Sequence, residues 1–124
     1  MRGKQKTKET ILIIDPEKPM IDLIKLTLGT EKYEYKTCQT IVTGTKHALE
    51  SDFDLIITET LFPLGCGYKM IENIRKKKET PIMITSSRSQ LVDKFKAINV
   101  GADDYISKPW SPEELVKVVE LNIQ

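Results

Sequence analysis

The chain has 124 residues, 40% of them hydrophobic, and its 19 Lys and Arg nearly cancel its 18 Asp and Glu, leaving a net charge of +1. That size fits one domain around a single core. The balanced charge gives no overall electrostatic footprint for nucleic acid, and no apolar run is long enough to cross a bilayer or form the middle of a secretory signal. A cytoplasmic, reducing setting is expected, with Cys38 and Cys66 as free thiols, since their spacing suits no metal site. The single His47 argues against a His-rich metal centre.

Residues 1–8 carry the run "MRGKQKTK" and are expected to form a flexible basic tail. The domain proper is expected over 9–124. Ile11-Leu12-Ile13-Ile14 does not alternate with polar residues, as befits a strand buried on both faces. Ile21, Ile24 and Leu28 follow at helical spacing. "YEYKTC", residues 33–38, alternates and suits an edge strand, and a short helical pattern runs from Thr43 to Ala48 and Leu49. Leu55-Ile56-Ile57 is a second buried strand. It ends at Thr58-Glu59 and enters a turn marked by Pro63, Gly65 and Gly67.

Met70, Ile71 and Ile74 lie on one helical face, and Arg75-Lys76-Lys77-Lys78 closes that helix. Cations there complement the negative end of the helix dipole, and the run is too short and local to argue for direct nucleic-acid binding. Ile82-Met83-Ile84 is a third buried strand. Leu91, Phe95 and Ile98 repeat the i, i+4, i+7 spacing of a helix. "DYI", 104–106, is a short fifth strand. Ser111-Pro112-Glu113-Glu114 announces the last helix, with Ser as N-cap, Pro at N1 and Glu114 closing a capping box. Leu115, Val118 and Val119 supply its apolar face.

Strand and helix thus alternate five times. This predicts an α/β, flavodoxin-like (βα)5 doubly wound parallel sheet with strand order 2-1-3-4-5. Ligands of such sheets bind outside the carboxyl ends of the strands. The strands deliver Asp15, with Pro16 and Glu17 after it, then Glu59, then Ser86 and Ser87, then Lys108 before Pro109. Carboxylates, hydroxyls and one ammonium therefore converge on one rim.

With these residues in place, the sequence from about Glu9 to Asn122 resembles the receiver domain of two-component response regulators. The resemblance rests on "ILIIDPE", "DLIITETLFPLGCG", "PIMITSS", "GADDYISKPW" and "GTKHALES". It implies an aspartate phosphoacceptor ending the third strand, a magnesium site built on two acids after the first, and a lysine steadying the phosphoryl group. It also implies a Ser or Thr and an aromatic residue that move on phosphorylation. Ser86, Tyr105 and Lys108 stand at the last three positions.

Two positions depart from that pattern. Glu59 holds the acceptor position, and Pro16 holds the second position of the acidic pair, of which only Asp15 remains. Phe62 and Trp110 replace the usual Met and Phe, swaps between apolar side chains that packing tolerates. Two unit charges 4 Å apart interact by about 4 kcal/mol at an effective dielectric near 20, so losing one carboxylate removes much of the attraction for a cation. Proline offers no carboxylate or N–H, and Glu17 leaves the loop one residue later. Magnesium demands tight octahedral oxygen ligation. No metal and no other cofactor is therefore expected.

Glutamate also carries its nucleophilic oxygen one methylene further out, where in-line attack suffers and bonds to Lys108 and Ser86 become reachable. The reading is a regulatory pseudo-receiver, not an enzyme, with Glu59 unphosphorylated. The pocket is then either fixed in a phosphorylation-like state or simply degenerate, with Glu59 paired to Lys108. The alternatives are an active receiver phosphorylated by a sensor histidine kinase and an electron-transferring flavodoxin. The acidic, proline-bearing loop "DPEKPM" fits a flavin phosphate poorly. Partners would be signalling proteins. The resemblance places the output face on the fourth helix, fifth strand and fifth helix, with Lys94, Lys96, Asp103, Asp104, Tyr105 and Lys117. Mixed charges there suit a self-complementary homodimer.

Overall fold

The computed structural model describes residues 8–88 and 90–123. The elements in chain order are β1 (Glu9–Ile14), α1 (Lys18–Leu28), β2 (Tyr33–Cys38), α2 (Ile41–Glu50) and β3 (Leu55–Thr58). They continue with β4 (Leu61–Phe62), β5 (Gly65–Cys66), α3 (Gly67–Arg75), β6 (Ile82–Ser86), α4 (Leu91–Asn99), β7 (Asp104–Ser107) and α5 (Pro112–Asn122). Five parallel strands form one sheet in the order β2-β1-β3-β6-β7, which is the expected 2-1-3-4-5 winding of the main strands.

The unbroken apolar runs divide by the two-residue period of a strand. Ile11, Ile13, Leu55, Ile57 and Met83 face Ile21 and Ile24 of α1 and Leu115 and Val119 of α5. Leu12, Ile14, Ile56, Ile82 and Ile84 face Met70, Ile71 and Ile74 of α3 and Ala48 of α2. Each strand serves two cores at once, which is why its sequence shows no polar alternation. The approach of α2 is set by Gly44, where a Cβ would lie 2.8 Å from the Ile14 side chain.

Several local features differ from the sequence reading. The turn after β3 contains a small antiparallel hairpin, with Leu61 paired to Cys66 and Phe62 to Gly65. The second helix starts at Ile41, earlier than Thr43, because the Thr40 hydroxyl accepts from the Thr43 N–H. The third helix ends at Arg75. Its guanidinium donates to the carbonyls of Gly101, Lys78 and Thr80 and pairs with Asp103. Lys78 pairs with Asp52. Half of the basic run is thus spent inside the fold. Ser111 caps α5 through the Glu114 N–H, as its sequence announces. The expected basic tail, residues 1–8, lies outside the described residues except for Lys8, as does Gln124.

The apolar stripe of α4 lies on the outside of the domain. Leu91, Phe95 and Ile98 are 65%, 58% and 65% exposed, and Ala97 is the buried residue of the helix. At 3.6 residues per turn, Ala97 lies about 200° around the helix from Phe95. The helix packs through its small side and turns its large apolar side outward.

Candidate functional site

The site lies at the carboxyl edge of the sheet. Hydrogen bonds from Asp15 N to the Cys38 carbonyl and from Glu59 N to the Ile14 carbonyl extend the strand pairing one residue past β1 and β3. This fixes both carboxylates side by side at 1% and 4% exposure. Lys108 leaves β7 with its N–H on the Ser86 carbonyl, at 2.7 Å, and precedes a cis peptide to Pro109. Its ammonium reaches both acids, at 2.9 Å from Asp15 Oδ2 and 2.8 Å from Glu59 Oε1.

The remaining carboxylate oxygens are also engaged. Asp15 Oδ1 accepts from the Glu17 N–H at 2.9 Å. Glu59 Oε2 turns back along the chain and accepts from the N–H groups of Thr60 and Leu61, at 2.7 and 2.9 Å. The extra methylene of glutamate makes this fold-back reachable. The Thr60 hydroxyl approaches the same oxygen at 3.4 Å and lies 3.1 Å from Ser86 Oγ. Ser86 Oγ accepts from the Arg88 N–H, and the Tyr105 hydroxyl donates to the Arg88 carbonyl.

Charge states follow from these contacts. Burial alone would push the Glu59 carboxyl up, but the Lys108 ammonium and the two backbone N–H groups outweigh it and hold it below the ordinary value. Asp15 goes the other way. Its burial outweighs help from Lys108 and the Glu17 N–H, and the nearby Glu59 charge adds to the rise. Burial would lower the Lys108 ammonium, yet its two carboxylate partners raise it. The ion triad is asymmetric: Glu59 is the better-held anion.

Of the residues singled out in the sequence, the structure gathers Asp15, Glu59 and Lys108 in direct contact, with Ser86 beside them. The direct Glu59–Ser86 bond is not formed, because Thr60 stands between the two. Tyr105 joins through Arg88. Glu17 is exposed, and it contributes its N–H rather than its carboxylate. Thr60 and Arg88 escaped the sequence reading. The one signal was a second threonine in "TETL", placed to be buried beside the acid. Among the described residues, no three His, Cys, Asp or Glu side chains converge as metal ligands would.

Fold and rim together define a doubly wound α/β domain with an acid–lysine centre at its strand ends. The chain belongs to the response regulator receiver domain family, which it matches over residues 11–120. It is similar to a CheY-like receiver domain protein from Methanospirillum hungatei JF-1, at 25% identity and a TM-score of 0.87, covering 94% of each chain. The chemotaxis response regulator CheY4 of Vibrio cholerae is 25% identical with a TM-score of 0.85, over 94% of this chain and 99% of that one. A two-component response regulator from Clostridium difficile is 25% identical with a TM-score of 0.87, over 93% of this chain and 95% of that one. The domain is therefore a receiver domain of the two-component type, a regulatory module. No helix among the described residues is long and apolar enough to cross a membrane.

Proposed function

We propose that this receiver works without phosphorylation, as a protein-contact module whose pocket is satisfied by its own side chains. The observation that carries the reading is the Glu59 carboxylate itself. One oxygen is held by Lys108 and the other by two backbone N–H groups, so neither is free to attack phosphorus. An attacking oxygen must first break bonds that hold it as an anion, and in-line geometry is costly to lose.

The donor set does not fit magnesium. The Lys108 ammonium lies within 3 Å of both carboxylates, where a cation would have to sit. Pro16 supplies no side-chain oxygen, and Glu17 is turned to solvent. Replacing an internal ammonium by a dication would leave the displaced lysine without its partners. In this reading the domain carries no cofactor and is not an enzyme. It acts in the cytoplasm on signalling proteins, does not itself bind nucleic acid, and inherits its kinase or output partner from the system it serves.

The α4–β7–α5 face is proposed as the contact surface, with self-association as its first use. Leu91, Val92, Phe95 and Ile98 are exposed there beside Lys94 and Lys96, and Lys117 lies on α5. Of the acids, Asp103 is tied to Arg75 and Asp104 to Asn122, so the face offers an apolar ridge flanked by lysines more than freely paired charges.

A thermal melt tests the pocket reading. A ligand of the folded state raises the midpoint by RT ln(1 + [L]/Kd), about 2.7 kcal/mol at a hundredfold excess over Kd. Magnesium with beryllofluoride, a phosphoryl mimic, is expected to leave the midpoint and the sedimentation coefficient unchanged. A donor-dependent rise in either would mean that the pocket still switches.

A further inference from the structure

Thr60 follows the acid directly and is fully buried, with its hydroxyl between the Glu59 carboxylate and the Ser86 hydroxyl. Its neighbours form a continuous run: Arg88 N–H, Ser86 Oγ, Thr60 Oγ1 and Glu59 Oε2, with spacings of 3.1, 3.1 and 3.4 Å. The two ends fix the direction of the run. A backbone N–H can only donate, and an ionised carboxylate can only accept. Each hydroxyl between them must therefore accept from the Arg88 side and donate towards Glu59. Each hydroxyl is then used once in each sense, and bonds aligned head to tail polarise one another in a low dielectric.

We infer that Thr60 is a positioning residue, the relay through which the Glu59 carboxylate holds Ser86, and through Ser86 the segment that anchors Tyr105. The Thr60 hydroxyl gives Ser86 an internal partner, so the Ser86 corner stays ordered with nothing bound in the pocket. This deepens the reading that the receiver is internally satisfied, and it rests on that reading only in taking Glu59 as unmodified.

Two further contacts place the relay beside the structures it would control. The Arg88 carbonyl accepts the Tyr105 hydroxyl, and the Arg88 guanidinium lies 3.7 Å from Asp93 in the first turn of α4. Burial pushes the Tyr105 and Tyr68 phenols up. The run therefore reaches from the pocket floor to β7 and to the entry of α4.

The test uses the folded chain with no phosphoryl donor, so it can fail independently of the phosphorylation question. Thr60→Val keeps the shape and removes the hydroxyl; Thr60→Ser keeps the hydroxyl. The readouts are hydrogen exchange of the Arg88 amide and the ring resonances of Tyr105. One net hydrogen bond is worth about fivefold in a local opening equilibrium. Thr60→Val should speed Arg88 exchange by about that factor and shift the Tyr105 ring, while the amides of β1 and β3 stay protected. Thr60→Ser should restore both. If Thr60→Val does not fold, Ser86→Ala breaks the same run and is judged by the same readouts. The inference is overturned if Arg88 exchange and the Tyr105 ring are unmoved, if protection falls evenly across the sheet, or if Thr60→Ser behaves like Thr60→Val.

Discussion

Replacing Lys108 by Met removes the only cation among the triad's three side chains while keeping an unbranched stem of similar length. Two carboxylates at 1% and 4% exposure then face each other without it. Breaking a buried ion pair from one side costs about 3–5 kcal/mol, because the partner is left buried and uncompensated. Here Asp15 keeps the Glu17 N–H and Glu59 keeps two N–H groups, so the lower end applies, about 3 kcal/mol. For a chain of this size that is a fall of roughly 12 °C in the thermal midpoint.

The pH dependence supplies the sign. In the native protein the depressed Glu59 value contributes stability above the unfolded value, and that contribution is lost as pH falls through the folded one. The raised Asp15 value works in the opposite sense. Without Lys108 both carboxyls should be raised, so the variant's deficit is largest at neutral pH and shrinks as both protonate on approach to about pH 4. Urea melts of both proteins at several pH values measure this. A deficit below about 1 kcal/mol, or one that does not change with pH, would refute the buried-triad account.

Restoring metal chemistry should need two changes. Glu59→Asp withdraws the fold-back onto Thr60 and Leu61, and Pro16→Asp adds a carboxylate, so magnesium should raise the melting midpoint of the double variant and of neither single one. Tight binding by Glu59→Asp alone would contradict the role given to Pro16. Gly67→Ala would place a Cβ 2.8 Å from the Glu59 carbonyl and 3.0 Å from Thr60 Cα, both backbone atoms that cannot swing aside. It should cost about 2 kcal/mol in a denaturant melt, against near-neutrality for an ordinary surface change. At high pH, Lys108 stability is complete below its unfolded value near 10.5 and is lost as pH rises through the raised folded value. Tyr35, pushed up to about 12 by burial, adds loss in the same direction above pH 10, because the unfolded chain ionises first. The native protein should therefore weaken above pH 10, and Lys108→Met should show a shallower fall.

The strands were legible because continuous apolar runs have few structural uses in a chain of this length, and the Ser111 N-cap of α5 is a local signal that needs no tertiary context. The rim acids and Lys108 were legible from their places at strand ends. The orientation of α4 was not. Periodicity names an apolar stripe but not which side of a short helix meets the sheet, and here Ala97 won that contact over Phe95. The hairpin of β4 and β5 was hidden in four residues around a proline turn. The Thr60 relay was hidden for a different reason. It depends on Glu59 curling back on its own backbone, a side-chain choice that the spacing of residues does not encode.

The central claim is that Glu59 is a structural anion and not a phosphoacceptor. Intact mass after incubation with acetyl phosphate and magnesium tests it most directly, with an aliquot quenched early to catch a short-lived acyl phosphate. The account predicts an unchanged mass at every time point for the native chain. The mass of one phosphoryl group, mapped to Glu59, would contradict it.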